Sequence, residues 1–155
     1  MARVLIGTDG SHLARLAAER ARGILAFDDV IVASVVQPLL AAGLPVGMPG
    51  DYVTTSGIAD DEARRTLHHE AAGMATELAA IFPSATTRIV DGEPGPELCR
   101  LATEESVDVI VVGSHGAGFL RRVLLGSVSN HVAQHAPCPV LIVRKDDDSE
   151  HRQGG

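Results

Sequence analysis

The stretch Val107–Arg144, VDVIVVGSHGAGFLRRVLLGSVSNHVAQHAPCPVLIVR, decides how the chain is read. Its first six residues, Val107–Val112, are apolar apart from Asp108 and rich in β-branched side chains, the pattern of a strand covered on both faces. Glycines end the run. Gly113 and Gly116 bracket a turn, and after nine more residues Gly126 and Ser127 open a segment, Ser127–His135, with the pattern of a helix. A strand, a glycine-bearing turn and a helix N-terminus in succession aim main-chain N–H groups outward, which suits phosphate. Pro137 and Pro139 close the helix ahead of a second apolar strand, Val140–Val143, so the unit is read as βαβ.

Composition bounds the rest. A chain of 155 residues is about one domain's worth and can bury a good core. Apolar residues make up 45% but aromatics only 3%, with no Trp, so the core must be built from Val, Ile, Leu and Ala. The net charge of −7 argues against non-specific nucleic-acid binding, which needs clustered Lys and Arg. An anionic ligand would therefore be held by backbone N–H groups and a metal ion. Cys99 and Cys138 have neither C-x-x-C nor zinc-ligand spacing and are expected to be small buried hydrophobes. No signal peptide is visible and no apolar run reaches membrane-spanning length, so a cytoplasmic location is the expectation.

In chain order, Arg3–Ile6 is expected as a first strand. Gly7, Thr8, Asp9, Gly10 and Ser11 then make a polar turn into a helix, with Ser11 as N-cap and Leu13, Leu16, Ala17, Ile24 and Leu25 as its apolar stripe. Asp9, at the C-terminal end of a parallel strand, either caps this turn or faces the crevice where doubly wound sheets bind ligands. Asp29–Val36 is a second, central strand. The span from Pro38 to Gly57 is too rich in Pro and Gly for a regular element, and Tyr52 within it is either a surface residue or a ligand contact. Ile58–Ile81 is a long helix opening with Asp60, Asp61 and Glu62, and its adjacent His68 and His69 are expected to be solvated. Pro83 precedes a third strand, Thr86–Val90, and a turn, Asp91–Pro96, leads to a helix Pro96–Ser106. The tail from residue 146 to 155 is acidic and polar and is expected to be disordered, leaving 1–145 as a single domain. Alternating β and α elements imply a three-layer, doubly wound (Rossmann-like) α/β fold with five parallel strands.

The spacing G-x2-G-x9-G-S, filled by Gly113, Gly116, Gly126 and Ser127, resembles the ATP-binding members of the universal stress protein family. So do Val-Val-Gly-Ser-His-Gly, Gly-Ser-Val-Ser and Ala-Pro-Cys-Pro-Val-Leu-Ile-Val, and the likeness runs from about Arg3 to Arg144. It implies strand order 3-2-1-4-5, a homodimer formed through the fifth strand, and ATP with Mg as ligand. It assigns to the nucleotide Gly7, Thr8 and Asp9 after the first strand and Val35 at the end of the second. To these it adds Val112, Gly113, Ser114, His115 and Gly116, Arg122 in the nine-residue gap, and Gly126, Ser127, Val128 and Ser129, with Asp9 also as metal ligand. On this reading Gly113 and Gly116 let the chain approach ribose and phosphates. Gly126 and Ser127 supply N–H groups, and Ser127 and Ser129 hydroxyls, to the outer phosphates. Many family members carry proline where this chain has Gly7.

No G-x-x-x-x-G-K-[ST] loop is present. Arg121 and Arg122 either reach phosphates or face solvent, and His115 either acts as a base or sits beside the nucleotide. The reading is a cytoplasmic nucleotide-binding protein with a regulatory role in stress response. Its alternatives are a slow ATPase in the same pocket and a nucleotide-free dimeric scaffold.

Overall fold

The computed structural model describes residues 2–37, 58–115 and 125–145. Among these, strands and helices alternate: β1 (Arg3–Gly7), α1 (His12–Ile24), β2 (Asp29–Val36), α2 (Ile58–Ala79), β3 (Ala85–Asp91), α3 (Pro94–Glu104), β4 (Val109–Gly113), α4 (Ser127–His135) and β5 (Val140–Val143). Every strand pair is parallel and the sheet order is β3-β2-β1-β4-β5, as expected. The Pro38–Gly57 span with Tyr52, the residues Gly116, Arg121 and Arg122, and the acidic tail lie outside the described residues.

Period-two alternation divides the core into two layers. Val4, Ile6, Val30, Val32 and Val111 pack with alanines of α1 and with Ala75, Leu78 and Ala79 of α2. Leu5, Ile31, Ala33, Ile110 and Val112 face the opposite way, toward Leu98, Leu101 and Ala102 of α3 and Val132 of α4. Because both faces are covered, the central strands show no polar alternation. Small residues set the interlayer contact: Ala17, Ala18 and Ala21 of α1 are fully buried. Among the described residues Phe27 and Phe82 meet edge to face, with ring centroids 5.6 Å apart.

Several boundaries differ from the sequence expectation, each for a local reason. Strand β4 begins at Val109 rather than Val107, because Val107 N–H closes α3 on Ala102 O and Asp108 anchors β1. Asp108 accepts from Arg3 N at 2.7 Å and donates its own N–H to Arg3 O at 2.8 Å. Helix α3 starts at Pro94, not Pro96, and ends at Glu104, not Ser106. Pro94 supplies the preset φ of a first helical residue, and Ser106 has turned to φ 51°. Helix α2 ends at Ala79, after which Ile81 and Phe82 donate three residues back in a tightened turn before Pro83. Ile24 is 64% exposed instead of joining the α1 stripe. Leu25, in extended backbone just past the helix, turns back and packs on the core beside Leu16.

His68 is not simply solvated. Its Nε2 lies 2.7 Å from Asp91 Oδ1, and Arg64 reaches the other carboxylate oxygen at 3.1 Å, tying α2 to the end of β3. His69 is exposed. Cys99 and Cys138 are free, partly buried thiols packed on the α3–α4 layer, and burial raises the pKa of each.

Two predictions follow from this packing. The hydrogen bond with His68, helped by Arg64, lowers the Asp91 pKa below its ordinary value of 3.8. A carboxylate whose folded pKa is depressed stabilises the fold above its unfolded pKa and loses that contribution as pH falls through the folded value. Urea midpoints taken between pH 2 and 6 should therefore show a component, lost below about pH 4, that Asp91→Asn removes; for so exposed a pair it is about 0.5 kcal/mol. The second concerns Gly113, where an added Cβ would lie 2.9 Å from Leu13 Cγ on α1. Gly113→Ala should cost about 1–3 kcal/mol in urea unfolding without any ligand. That cost should shrink when Leu13 is already Ala.

Candidate functional site

The site begins with a turn that the local sequence dictates. Beyond β1, Thr8 N–H donates to Ala33 O at 2.9 Å, continuing the ladder to β2 by one bond. The next two polar side chains fold back on the main chain: Thr8 Oγ1 accepts from Gly10 N at 3.1 Å and Asp9 Oδ1 from Ser11 N at 2.9 Å. Gly10 takes φ 77° against Met74, a conformation few other residues accept. Ser11 then caps α1, its Oγ accepting from Ala14 N at 3.1 Å. Asp9 thus builds the turn and also lines the crevice.

Across the crevice, β4 ends in Gly113, and Ser114 follows it. Ser114 is buried and bonded on all sides: its N–H donates to Val143 O at 2.8 Å, and its hydroxyl lies 3.1 Å from His115 Nδ1. Its carbonyl accepts from Gly126 N at 2.6 Å and from Ser129 Oγ at 2.7 Å. Ser129 Oγ also lies 3.1 Å from Gly126 O, so its single proton is shared between two carbonyls of the protein. These bonds clamp the start of α4 onto the end of β4. Gly126 fits because its missing Cβ would come within 3.1 Å of His115 Cα. Neither Gly113 nor Gly126 has positive φ, so it is close packing, tighter at Gly113, and not turn geometry that favours glycine at both.

Helix α4 starts without a side-chain cap, since its N-cap is Gly126. Its first intrahelical bond is Asn130 N to Gly126 O, which leaves the N–H groups of Ser127, Val128 and Ser129 without a helical carbonyl. They carry the positive end of the helix dipole.

Between these parts lies a cavity of about 380 Å³, at the C-terminal ends of β1 and β4, where the strand order reverses. It brings together Gly7, Thr8, Asp9, Val35, Val112, Gly113, His115, Gly126, Ser127, Val128 and Ser129. Ser114, expected among the ligand contacts, is instead sealed beneath the cavity as the clamp. The Gly126 N–H, expected to face a phosphate, is spent on Ser114 O. Ser129 keeps only acceptor capacity toward a ligand, because its proton is committed. Gly116 and Arg122 lie outside the described residues.

Six further residues line the cavity: Ser11, Ala14, Ala33, Gln37, Pro94 and Leu98. Period-two alternation from Val35 is the signal that could have found Ala33 on β2 and Gln37 just past its end. Pro94 and Leu98 had no such signal, because α3 reaches the site only through the crossover from β3 to β4. At Gly7 an added Cβ would lie 2.9 Å from Leu98 Cδ1. The described lining contains no Lys or Arg. Among the described residues no three His, Cys, Asp or Glu side chains are placed to hold a metal together. Asp9 would therefore be a single protein ligand to a hard cation, a sparse set that fits Mg²⁺, which takes one or two carboxylates with phosphates and water.

Comparison with known proteins agrees with this architecture. Residues 1–144 match the universal stress protein family. Universal stress protein MJ0531 of Methanocaldococcus jannaschii is 34% identical over 145 residues, covering 92% of this chain and 82% of that protein. The structure of MJ0577 from the same organism superposes with a TM-score of 0.78 at 25% identity, over 94% of this chain and 97% of that one. A universal stress protein solved in complex with cAMP gives 0.58 at 28% identity, over 92% and 96%. A family protein from Arabidopsis thaliana with AMP bound shares the fold, with a TM-score of 0.60 at 17% identity over 96% and 94%. With its glycine pattern, reversed strand order and near-complete match, the chain belongs to the universal stress protein family.

Proposed function

We propose that this chain binds an adenine nucleotide, ATP with Mg²⁺, as a regulatory ligand in stress response and does not consume it as fuel. The observation that carries the reading is the cavity at the strand-order reversal, with the uncapped N-terminus of α4 on one wall and Asp9 opposite. An acidic protein whose described lining has no Lys or Arg must bind an anion through main-chain donors and a cation. The N–H groups of Ser127 and Val128 are such donors, and the Ser127 hydroxyl, exposed at the helix start, adds one more. His115 lies beside the phosphates, Thr8 and Asp9 beside the ribose and metal, and Val35 beside the base. The cAMP complex and the AMP-bound fold relative support an adenine nucleotide as the ligand class.

The assembly in this reading is a cytoplasmic homodimer. Strand β5 is an edge whose Val140, Leu141 and Ile142 are only partly buried, and pairing with a second copy would cover it. Among the described residues no helix is long and apolar enough to cross a membrane.

Calorimetric titration with ATP, with and without Mg²⁺, tests the reading, together with mass spectrometry of whatever co-purifies. Asp9→Asn keeps an oxygen for Ser11 N–H and removes only the charge. It should weaken ATP binding about tenfold in Mg²⁺, the scale of a lost contact to a charged group. In excess chelator the affinity should stay the same or rise. No heat with the wild-type protein and no retained nucleotide would sink the proposal in favour of a scaffold, and steady turnover at saturating ATP would convert it to an enzyme.

A further inference from the structure

Ser114 serves the site twice. Its main chain makes the clamp: the N–H donates to Val143 O, and the carbonyl accepts from Gly126 N and Ser129 Oγ. None of these bonds uses its hydroxyl. Ser114 is only 2% exposed, and among the described residues the one partner of its Oγ is His115 Nδ1, at 3.1 Å. The hydroxyl is therefore committed to the imidazole that follows it in the chain.

A neutral imidazole carries one N–H and one lone pair, and a hydroxyl carries a single hydrogen. Two arrangements place one hydrogen between Oγ and Nδ1. If Nδ1 bore it and donated to Oγ, the serine hydrogen would be left in a buried place without an acceptor, the costly way to lose a hydrogen bond. If Oγ–H donates to the Nδ1 lone pair, every hydrogen has a partner. The second arrangement is favoured, and it puts the imidazole hydrogen on Nε2. Among the described residues none bonds Nε2. His115 itself is half-buried and lines the cavity beside Gly126, at the start of α4.

We propose that the Ser114 hydroxyl fixes His115 as the Nε2–H tautomer and so makes it a neutral donor to the phosphate oxygens and not a base; the donor role rests on the nucleotide reading above. With Nδ1 spent on Ser114 and Nε2 protonated, His115 has no lone pair with which to take a proton from an attacking water. Its N–H instead joins the main-chain N–H groups of Ser127 and Val128 and the Ser127 hydroxyl, adding a donor without adding a positive charge. Ser114, sealed beneath the cavity, is a positioning residue that acts through His115.

The tautomer is read without any ligand. In a long-range proton–nitrogen correlation spectrum of the full chain with isotopically labelled histidines, taken in mildly alkaline solution, the His115 ring is identified by its loss in His115→Gln. It should be protonated on Nε2 alone. Ser114→Ala leaves the main-chain clamp in place and should add an Nδ1–H population. An Nδ1–H ring in the wild type, or the same tautomer proportions in Ser114→Ala, overturns the assignment. Dissociation constants for ATP with Mg²⁺ then read the donor. His115→Ala should weaken binding about fivefold, and His115→Gln, whose NH₂ donates without carrying charge, should recover most of that loss. Unchanged affinity in His115→Ala, or a loss in His115→Gln as deep as in His115→Ala, overturns the neutral-donor role and leaves the nucleotide reading standing. Failure of the wild type to bind ATP overturns both, while the ligand-free spectrum still decides the tautomer.

Discussion

The carbonyl oxygen of Ser114 holds the functional end of the molecule together. It takes the Gly126 N–H at 2.6 Å and the Ser129 hydroxyl at 2.7 Å, while the Ser114 N–H joins β5. A single buried hydrogen bond contributes only about 1 kcal/mol net, but leaving a buried group unpaired costs about 1–3 kcal/mol, so the clamp is enforced mainly by the penalty for opening it. Its effect is positional. Residues 114 and 126 are twelve apart in sequence, and closing that gap by main-chain contact fixes where α4 begins relative to the end of β4. The donors of Ser127 and Val128 then face the cavity because Gly126 and Ser129 face the clamp.

The glycines are the other half of the same constraint. A side chain at Gly113 would strike Leu13 on α1, one at Gly126 would crowd the main chain of His115, and one at Gly7 would press on Leu98 of α3. Each marks an approach that an added Cβ would crowd, most severely at Gly113, and the cavity is the space left where these approaches meet. A glycine pattern read as room for a ligand is thus first a condition for packing. The ligand's room is a consequence of it.

Electrostatics divides the molecule into two ends. At the N-terminal edge of the sheet, Arg3 bonds Asp29 at 2.6 Å and Glu105 O at 2.7 Å, and Arg88 meets Glu105 at 2.9 Å. These partly exposed pairs stabilise little individually but tie β1 and β3 to the turn after α3. At the C-terminal edge the described lining lacks such cations, and main-chain dipoles take their place. Fixed dipoles attract an anion without adding a positive charge that would pair with the acidic surface.

The sequence by itself determined the layers, the strand count and the first turn, because these depend on neighbours. Apolar runs such as Val30–Val36, capping by Ser11 and the folding back of Asp9 all act over a few residues. It also placed α4 and β5 at their observed bounds, Ser127–His135 and Val140–Val143, since prolines and glycines punctuate both. What only the tertiary structure decided was which polar groups remain available. Ser114, Gly126 and Ser129 look like ligand donors in the linear motif, yet the Ser114 N–H is taken up by Val143 O, and the Gly126 N–H and the Ser129 hydroxyl by Ser114 O, partners that become adjacent only on folding. Likewise Pro94 and Leu98 reach the cavity by a crossover between distant strands. Local propensity sets what a segment is; competition for hydrogen bonds and space among segments far apart in the chain sets what it can still bind.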